Sequence, residues 1–514
     1  MTDTPANNKR IAKNTLLLYI RMLFMMGVSL FTSRITLAAL GVTDYGIYNV
    51  VGGMVAMFSI LSGSLSVTIG RFITVEVGKG DKERLKTIFS TSVSIQICMA
   101  LVICLIAEVA GVWFLNNRMV IPADRLYAAH WVLQLSVITF LVNLISVPYN
   151  AVIIAHEKMS AFAYISILEV VLKLVIVYLL YISPIDKLII YAVLLALVAF
   201  VIRVVYGSYC KRHFEEAHYR FCLDRKLLCE MLSFIGWAFW GNAMVVLKDQ
   251  GVNVLLNLYC GPAVNAARAV AMQVNNAVYS FVQNFMMAVN PQITKSYSAG
   301  NLTDMFNLII KSAKFGFFIM LMLLMPICVN IDYILNLWLV EVPEHTANFI
   351  ILVLLYSLLD CYANPLFTGV LAHGNIKTYE IALTITYFIN FVGSYALLKI
   401  GMQPEMVFVL NIIFKAFVIV VLLWQSHLKY SFTIRAFLQK CVFRTMVVFL
   451  LCSGIIYSLP ISGQENFLGF IISTFTILVI CALAVYFIGI TKDEAIYIKN
   501  FAISILHLKK QQNY

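Results

Sequence analysis

Seven basic residues lie inside long apolar stretches of the sequence, where a charged side chain is costly. They are Arg21, Arg34, Lys173, Arg203, Lys248, Arg268 and Lys415. A Lys or Arg at the centre of a membrane helix costs about 3 kcal/mol on insertion scales, so each needs a partner, a water-filled cavity or a route to the headgroups. Guanidinium and ammonium groups bind phosphate. Because few acids accompany them, the pattern favours an anionic ligand over a cationic one.

Lys248 and Asp249 are the strongest polar signal within an apolar stretch. They lie roughly 20 Å along their predicted helix, too deep to reach the headgroups easily. Adjacent helical residues point about 100° apart, so Lys248 is able to meet an anion while Asp249 carries a coupling proton or sodium ion. The alternative is that both pair with neighbouring helices and only stabilise the bundle.

Four further charges form two candidate pairs. Glu169 and Lys173 stand four residues apart, the spacing that brings opposite charges together on a helix, and they predict a self-neutralising pair. Asp360 is the second candidate for ion coupling. It either pairs with Lys415 or lines a cavity with it, and the sequence leaves both possibilities open.

The elements that carry these charges must be transmembrane helices. The chain of 514 residues is 61% hydrophobic and 12% charged, with a mean hydropathy of +0.89. A membrane helix needs roughly 20 apolar residues. Fourteen such runs predict an all-α integral membrane protein of about 14 spans. Their approximate limits are 14–40, 44–69, 87–115, 127–150, 160–182, 187–209, 231–259, 262–289, 306–330, 346–371, 379–399, 404–426, 441–459 and 467–489.

The sequence lacks the motifs of metal sites, nucleotide-binding proteins and hydrolases. Eleven cysteines are scattered without CxxC pairs, which argues against a disulfide framework or a zinc site. The sequence has no GxxxxGK[ST], HExxH or GxSxG motif, so it predicts neither a nucleotide-driven mechanism nor a hydrolase. We therefore expect a non-enzymatic protein with no cofactor beyond a coupling H+ or Na+. Residues 1–13 are polar and do not resemble a cleavable signal peptide.

Charge sorting predicts the orientation. With the N-terminus inside, the cytoplasmic segments hold 26 of the 37 Lys and Arg residues and the outer loops hold 4. This positive-inside bias predicts that both termini are cytoplasmic. It also explains the net charge of +12 as membrane topology, so we do not expect nucleic acid as a partner.

One phrase occurs twice. PYNAVIIAHEKMS begins at Pro148 and PLFTGVLAHGNIK begins at Pro365. Each copy ends an even-numbered predicted span, the fourth and the tenth. The prolines predict helix kinks, and His156 and His373 are placed to cap terminal carbonyls, so the repeat is mainly structural.

A second match supports an internal duplication. The segments that begin at Arg71 and Pro291 align without gaps at an offset of 220. Two parallel six-helix halves, related by an axis along the membrane normal, are expected to enclose a substrate path between them. The predicted organisation is a first half at 1–210, an interfacial linker at 211–230, a second half at 231–428, two further helices at 429–490 and a cytoplasmic amphipathic tail at 491–514.

The sequence resembles a known family. The phrases SRITLAALGVTDYGIYNV, GKGDKERLK and PYNAVIIAHEKMS, in this order on a duplicated chain, resemble bacterial polysaccharide-biosynthesis flippases. These are Wzx-type transporters of the multidrug/oligosaccharidyl-lipid/polysaccharide (MOP) exporter superfamily, and the resemblance covers roughly residues 9–490. It implies movement of an undecaprenyl-diphosphate-linked oligosaccharide (O-antigen, capsule or exopolysaccharide) from the cytoplasmic to the periplasmic leaflet by alternating access. It also implies location in the inner membrane and contact with polysaccharide assembly proteins.

Such a substrate gives the arginines a role. Arg34 lies seven residues before Gly41 and Arg268 lies seven after Gly261, so both are expected about 10 Å below the outer surface, where they could clamp one diphosphate. Arg21 lies about 30 Å from that surface and could capture the headgroup on the cytoplasmic side. For all three the alternative is snorkelling to lipid headgroups.

Three alternative functions remain. An organic-cation exporter of the same superfamily should carry more buried carboxylates than bases, which this sequence does not. A lipid II flippase of the same fold is not distinguished by any residue. A polysaccharide polymerase or ligase should have a large periplasmic loop, whereas the longest outer connection here, around Asn116 to Leu126, has about a dozen residues.

The topology is testable with reporter fusions. Fusions at Asp124 and Glu344 should report the periplasm, and a fusion at Glu215 should report the cytoplasm, because the basic segments stay inside. Alkaline phosphatase and green fluorescent protein activities measure the two outcomes. Periplasmic activity at Glu215 would overturn the orientation.

Overall fold

A computed structural model describes residues 4–56, 58–117, 121–182, 186–220, 224–260, 262–339, 342–458, 466–491 and 494. Within these ranges all regular secondary structure is helical, as the sequence predicts. The α-helices are α1 (Thr4–Ala56), α2 (Ser59–Lys79), α3 (Lys82–Ile106), α4 (Val112–Asn117), α5 (Leu126–Ala155), α6 (Met159–Ile182), α7 (Lys187–His213), α8 (Arg225–Cys260), α9 (Pro262–Ser298), α10 (Leu302–Val329), α11 (Ile331–Trp338), α12 (Thr346–His373), α13 (Lys377–Lys399), α14 (Glu405–Tyr430), α15 (Ile434–Phe437), α16 (Phe443–Ser458) and α17 (Phe467–Ala484).

Eleven helical segments of the described chain are long and apolar enough to cross a membrane. They correspond to eleven of the fourteen predicted spans, so the count of fourteen is not confirmed. Helices α1, α2 and α9 are not among them. The last two are helical but contain many Ser, Thr, Gly, Asn or Gln residues, which lower their hydropathy.

The predicted outer turn at Gly41 is wrong. Helix α1 runs without a break from Thr4 to Ala56, through Gly41 and the adjoining predicted loop. A single glycine costs a helix about 1 kcal/mol relative to alanine but does not end it unless the backbone turns left-handed. The depths expected for Arg21 and Arg34 were measured from this turn, so they lose their reference point.

The corresponding predicted turn in the second half, at Gly261, lies outside the described residues. Helix α8 ends at Cys260 and α9 begins at Pro262, a residue suited to the first turn of a helix because its missing N–H has no partner there. The repeated phrase also ends helices in both places. Helix α5 contains Pro148 and ends at Ala155, and α12 contains Pro365 and ends at His373.

The chain divides into two compact units. One comprises Leu16–Ala243, and the other comprises Met1–Thr15 with Met244–Tyr514; we call them the N-unit and the C-unit. Each is described by itself.

In the N-unit, an arginine joins three segments. Arg125 donates to both Asp44 on α1 and Asp186, with 2.6 Å between its Nη1 and Asp186 Oδ2. Asp186 also caps α7 by accepting from the backbone N–H groups of Leu188 and Ile189. Because one guanidinium binds two carboxylates, it fixes the starts of α5 and α7 against α1.

In the C-unit, α12 is the central helix. It packs against α9, α10 and α14, and α14 packs in turn on α13. A Cβ at Gly369 of α12 would lie 2.6 Å from the Tyr430 hydroxyl, so a larger residue there would separate α12 from α14. This close packing places the charged side chains of α12 and α14 within reach of each other.

Candidate functional site

Four charged residues of the C-unit form two ion pairs beside neighbouring tyrosine side chains. Lys248 and Asp249 lie on α8, Asp360 on α12 and Lys415 on α14. We call these four residues, with the tyrosines described below, the charge cluster. Lys248 and Lys415 are each 8% exposed, so neither ammonium is solvated as it would be at a surface.

Asp360 is held on both carboxylate oxygens. Lys415 Nζ contacts Oδ1 in an ion pair, and the Tyr279 hydroxyl donates to Oδ2. The three groups come from α14, α12 and α9. The sequence left open whether Asp360 and Lys415 pair, and the structure shows that they do. Each oxygen of Asp360 therefore already has a partner, whereas Asp249 has one contact to Lys248.

Asp249 is held more loosely. Its Oδ1 lies 3.0 Å from Lys248 Nζ, and its side chain is 42% exposed whereas that of Lys248 is 8% exposed. The two neighbours on α8 therefore pair with each other, although helical geometry allowed them to diverge. An exposed carboxylate beside a buried ammonium is a partner that an incoming anion is able to replace.

Aromatic rings connect the two ion pairs. Lys248 Nζ lies 5.1 Å from the Tyr387 ring centroid and 5.5 Å from that of Tyr356. Lys415 Nζ lies 5.2 Å from the Tyr356 ring centroid. Both ammonium groups thus share Tyr356 as a cation–π partner.

Arg268 of α9 lies beside Asp249. Its Nη1 donates to Asn253 Oδ1 at 3.1 Å and its Nη2 donates to the Asp249 backbone carbonyl at 3.1 Å. A guanidinium has five N–H donors, so these two bonds leave donors for a ligand. The structure thus brings Lys248, Asp249 and Arg268 together. Tyr356 contacts both Lys248 and Lys415, and through Lys415 it connects this group to Asp360.

The other predicted anion ligands belong to the N-unit. The Arg21 guanidinium lies 4.7 Å from the Phe162 ring centroid, and its Nε is buried without a hydrogen-bond partner. Arg34 is part of α1, but its side chain lies outside the described residues. The predicted Glu169–Lys173 pair forms, with 2.6 Å between Lys173 Nζ and Glu169 Oε1.

His156 caps α5 through its backbone N–H, but its side chain bonds to Glu216 and not to the terminal carbonyls. Its Nε2 lies 2.5 Å from Glu216 Oε1, and its ring stacks on Phe214 at a centroid distance of 4.6 Å. Burial raises the pKa of the Glu216 carboxyl, but the hydrogen bond from His156, a backbone hydrogen bond and the nearby charges together outweigh burial, and the pKa is below its ordinary value. The histidine therefore anchors the segment that follows α7.

The sequence analysis missed the tyrosines of the charge cluster. Tyr356 and Asp360 stand four residues apart on α12, a spacing that places them on one helix face. That spacing was the available signal for Tyr356. Tyr279 and Tyr387 lie on other helices, and nothing local in the sequence relates them to Asp360. The described part of the chain contains no group of three or more His, Cys, Asp or Glu side chains placed to hold a metal ion.

The fold matches solved transporters. An outward-facing multidrug resistance MATE family transporter of the MOP superfamily aligns with a TM-score of 0.68 at 14% identity, over 83% of this chain and 98% of that chain. A Vibrio cholerae MATE transporter mutant aligns with a TM-score of 0.65 at 16% identity, over 84% and 98%. A MOP transporter from Pyrococcus furiosus aligns with a TM-score of 0.67 at 14% identity, over 85% and 99%, and is described as having a binding pocket of reversed polarity that suggests a different function.

These similarities show that the chain has the fold of the MATE transporters. Two family models match the sequence itself: "Polysaccharide biosynthesis protein" over residues 11–300 and "MatE" over residues 239–396. Since the first covers more than half of the chain, the chain belongs to the polysaccharide biosynthesis protein family. No curated protein matches it.

Asp360 and Lys415 should depend on each other for stability. Asp360→Asn and Lys415→Met each leave one buried charge unpaired, which costs about 3–5 kcal/mol, whereas the double variant removes both charges. The double variant should therefore melt at a higher temperature than either single variant in detergent, measured by fluorescence-detected size exclusion after heating. Additive losses would show that the pair contributes nothing as a unit.

Proposed function

We propose that this transporter is a flippase for an undecaprenyl-diphosphate-linked oligosaccharide, which it moves from the cytoplasmic to the periplasmic leaflet of the bacterial inner membrane by alternating access. Membership of the polysaccharide biosynthesis family supports the substrate class. The observation that carries the proposal is the excess of basic groups in the charge cluster and beside it, since the substrate's one charged part is an anion.

The charge balance there favours an anion. Lys248, Lys415 and Arg268 supply three positive charges against the two of Asp249 and Asp360. Lys415 is paired with Asp360, whereas Lys248 is paired with the more exposed Asp249. The groups that remain for a ligand are therefore Lys248 and Arg268. Both lie next to Asp249, and a diphosphate that bonded to both would satisfy charge on each side.

Displacement of the Asp249 carboxylate from Lys248 by a diphosphate would supply a conformational switch. When a diphosphate takes Lys248, the Asp249 carboxylate loses its partner and becomes free to take up a proton or sodium ion. The contacts of α8 then differ between the loaded and empty states. A difference of this kind is what a two-state equilibrium needs if substrate and ion are to bias alternating access.

An organic-cation exporter is the second candidate function. The MatE match and the multidrug transporters of the same fold favour it. A cation would require a carboxylate, however, and each carboxylate here is already paired with an ammonium group, Asp360 with Lys415 and Asp249 with Lys248. A lipid II flippase carries the same diphosphate and shares the anion argument, so the identity of the accumulating lipid separates these two.

Deletion of the gene tests the substrate class. The deletion strain should accumulate an undecaprenyl-diphosphate-linked oligosaccharide facing the cytoplasm, identified by mass spectrometry of lipid extracts. Lys248→Ala and Arg268→Ala should restore export poorly at wild-type abundance, because each removes a phosphate ligand. Lys399→Ala, which removes an exposed lysine at the end of α13, should restore it fully. Unchanged lipid-linked intermediates with altered dye resistance would favour the cation exporter.

Asp249→Asn separates coupling from structure. The variant mimics the neutral carboxyl, so it should leave thermal stability near wild type and slow export several-fold. Asp360→Asn should instead lower stability, because Lys415 is buried. Export by Asp249→Asn at the wild-type rate would make Asp249 a structural residue.

A further inference from the structure

One face of α9 is polar where a membrane helix should be apolar. Gln273, Asn276 and Gln283 are exposed on this helix, and Ser280 lies between them. At about 100° per residue these four positions fall within an arc of about 80°, and they extend along about 15 Å of the helix. The opposite face is buried and mostly apolar, with Ala271, Val278, Val282 and Met286 among its members.

This face does not suit contact with lipid. Large hydrophobic side chains are exposed on α13, α14 and α17, for example Phe388, Phe417 and Phe475, but none is exposed among the described residues of α9. Exposed amides would lose their hydrogen bonds to water in hydrocarbon, at a cost of several kcal/mol each. The face therefore borders water at membrane depth.

The composition of the whole helix agrees. Helix α9 has 37 residues and lies between two apolar spans, yet it is not apolar enough to count as a span itself. Buried polar contacts with α12 explain part of this, since Ser357 donates to Asn275 at 2.6 Å and Thr368 donates to Asn290 at 3.2 Å. They do not explain the three exposed amides, which have no hydrogen-bond partner in the part of the chain that the structure describes.

We infer that Gln273, Asn276 and Gln283 form a sugar-binding face that holds the oligosaccharide of the lipid-linked substrate during transport. The inference rests on the flippase proposed above and adds a second subsite to it. An amide side chain offers two donors and an acceptor, which suits neutral hydroxyl groups, and it carries no charge that would trap a substrate in transit. The ligand class is therefore an uncharged, hydroxyl-rich glycan.

The position along α9 fits one substrate with two parts. Arg268 and Tyr279 lie on the same helix, rotated by roughly 90° from the amide face. Arg268 adjoins Asp249, and Tyr279 binds Asp360. A diphosphate at Lys248 and Arg268 therefore leaves its first sugars beside the face that carries Gln273 and Asn276.

Binding of two purified lipids tests the assignment. The probes are undecaprenyl diphosphate, which has no sugar, and the undecaprenyl-diphosphate-linked oligosaccharide extracted from the deletion strain. Replacing the three amides together (Gln273→Met, Asn276→Leu, Gln283→Met) should weaken binding of the glycolipid at least tenfold, because the sugar hydroxyls lose three hydrogen-bonding side chains. Binding of undecaprenyl diphosphate should stay unchanged, which also shows that the variant is folded.

The control is Gln439→Met, which removes an exposed amide of the C-unit outside α9 and should leave both affinities unchanged. Equal loss for both lipids, or no loss for either, would overturn the sugar-binding face while leaving the flippase proposal intact. A wild-type protein that binds neither lipid would overturn the flippase proposal instead.

Solvent access tests the face without a substrate. Gln273→Cys, Asn276→Cys and Gln283→Cys, made singly in a cysteine-free background, should react with a membrane-impermeant maleimide. Ile385→Cys, at an exposed apolar position of α13, should not. If the three α9 cysteines label no faster than the α13 cysteine, the face borders lipid and the inference fails.

Discussion

The ion pair between Lys415 and Asp360 is the interaction on which the C-unit depends. A charge in hydrocarbon persists only when a counter-charge and hydrogen bonds replace its water. Asp360 obtains them from α14 and α9, while its own helix, α12, packs against both. The three helices therefore have to keep their positions along one another. This fixed frame also holds Tyr356, which lies beside both Lys415 and the more loosely paired Lys248.

The two carboxylates differ in a way that assigns them different roles. Asp360 has both oxygens occupied, whereas Asp249 has one contact to Lys248 and a side chain that is 42% exposed. A locked carboxylate stabilises one arrangement, and an exchangeable one is able to respond to a ligand. The sequence made Asp249 the first candidate for ion coupling and Asp360 the second, and the difference in their contacts supports that order as a proposal.

The sequence predicted the features that depend on local pattern. Apolar runs predicted eleven of the spans, and the four-residue spacing of Glu169 and Lys173 predicted their pair. It failed at Gly41, because a glycine permits a turn without requiring one. It could not relate Tyr279 or Tyr387 to Asp360, because contacts between helices distant in the chain leave no local pattern. The exposed amides of α9 were missed since an amide in a helix gives no signal until its face is known.

The proposed substrate is a lipid-linked oligosaccharide whose diphosphate binds Lys248 and Arg268. The most direct measurement reconstitutes the purified protein in vesicles that carry the labelled glycolipid in both leaflets, and follows how much becomes accessible to an impermeant glycosidase. Wild-type protein should raise the accessible fraction with time, and Lys248→Ala/Arg268→Ala should not. An accessible fraction that stays constant with wild-type protein would contradict the flippase function. A fraction that rises equally with the double variant would contradict the binding of the diphosphate by Lys248 and Arg268.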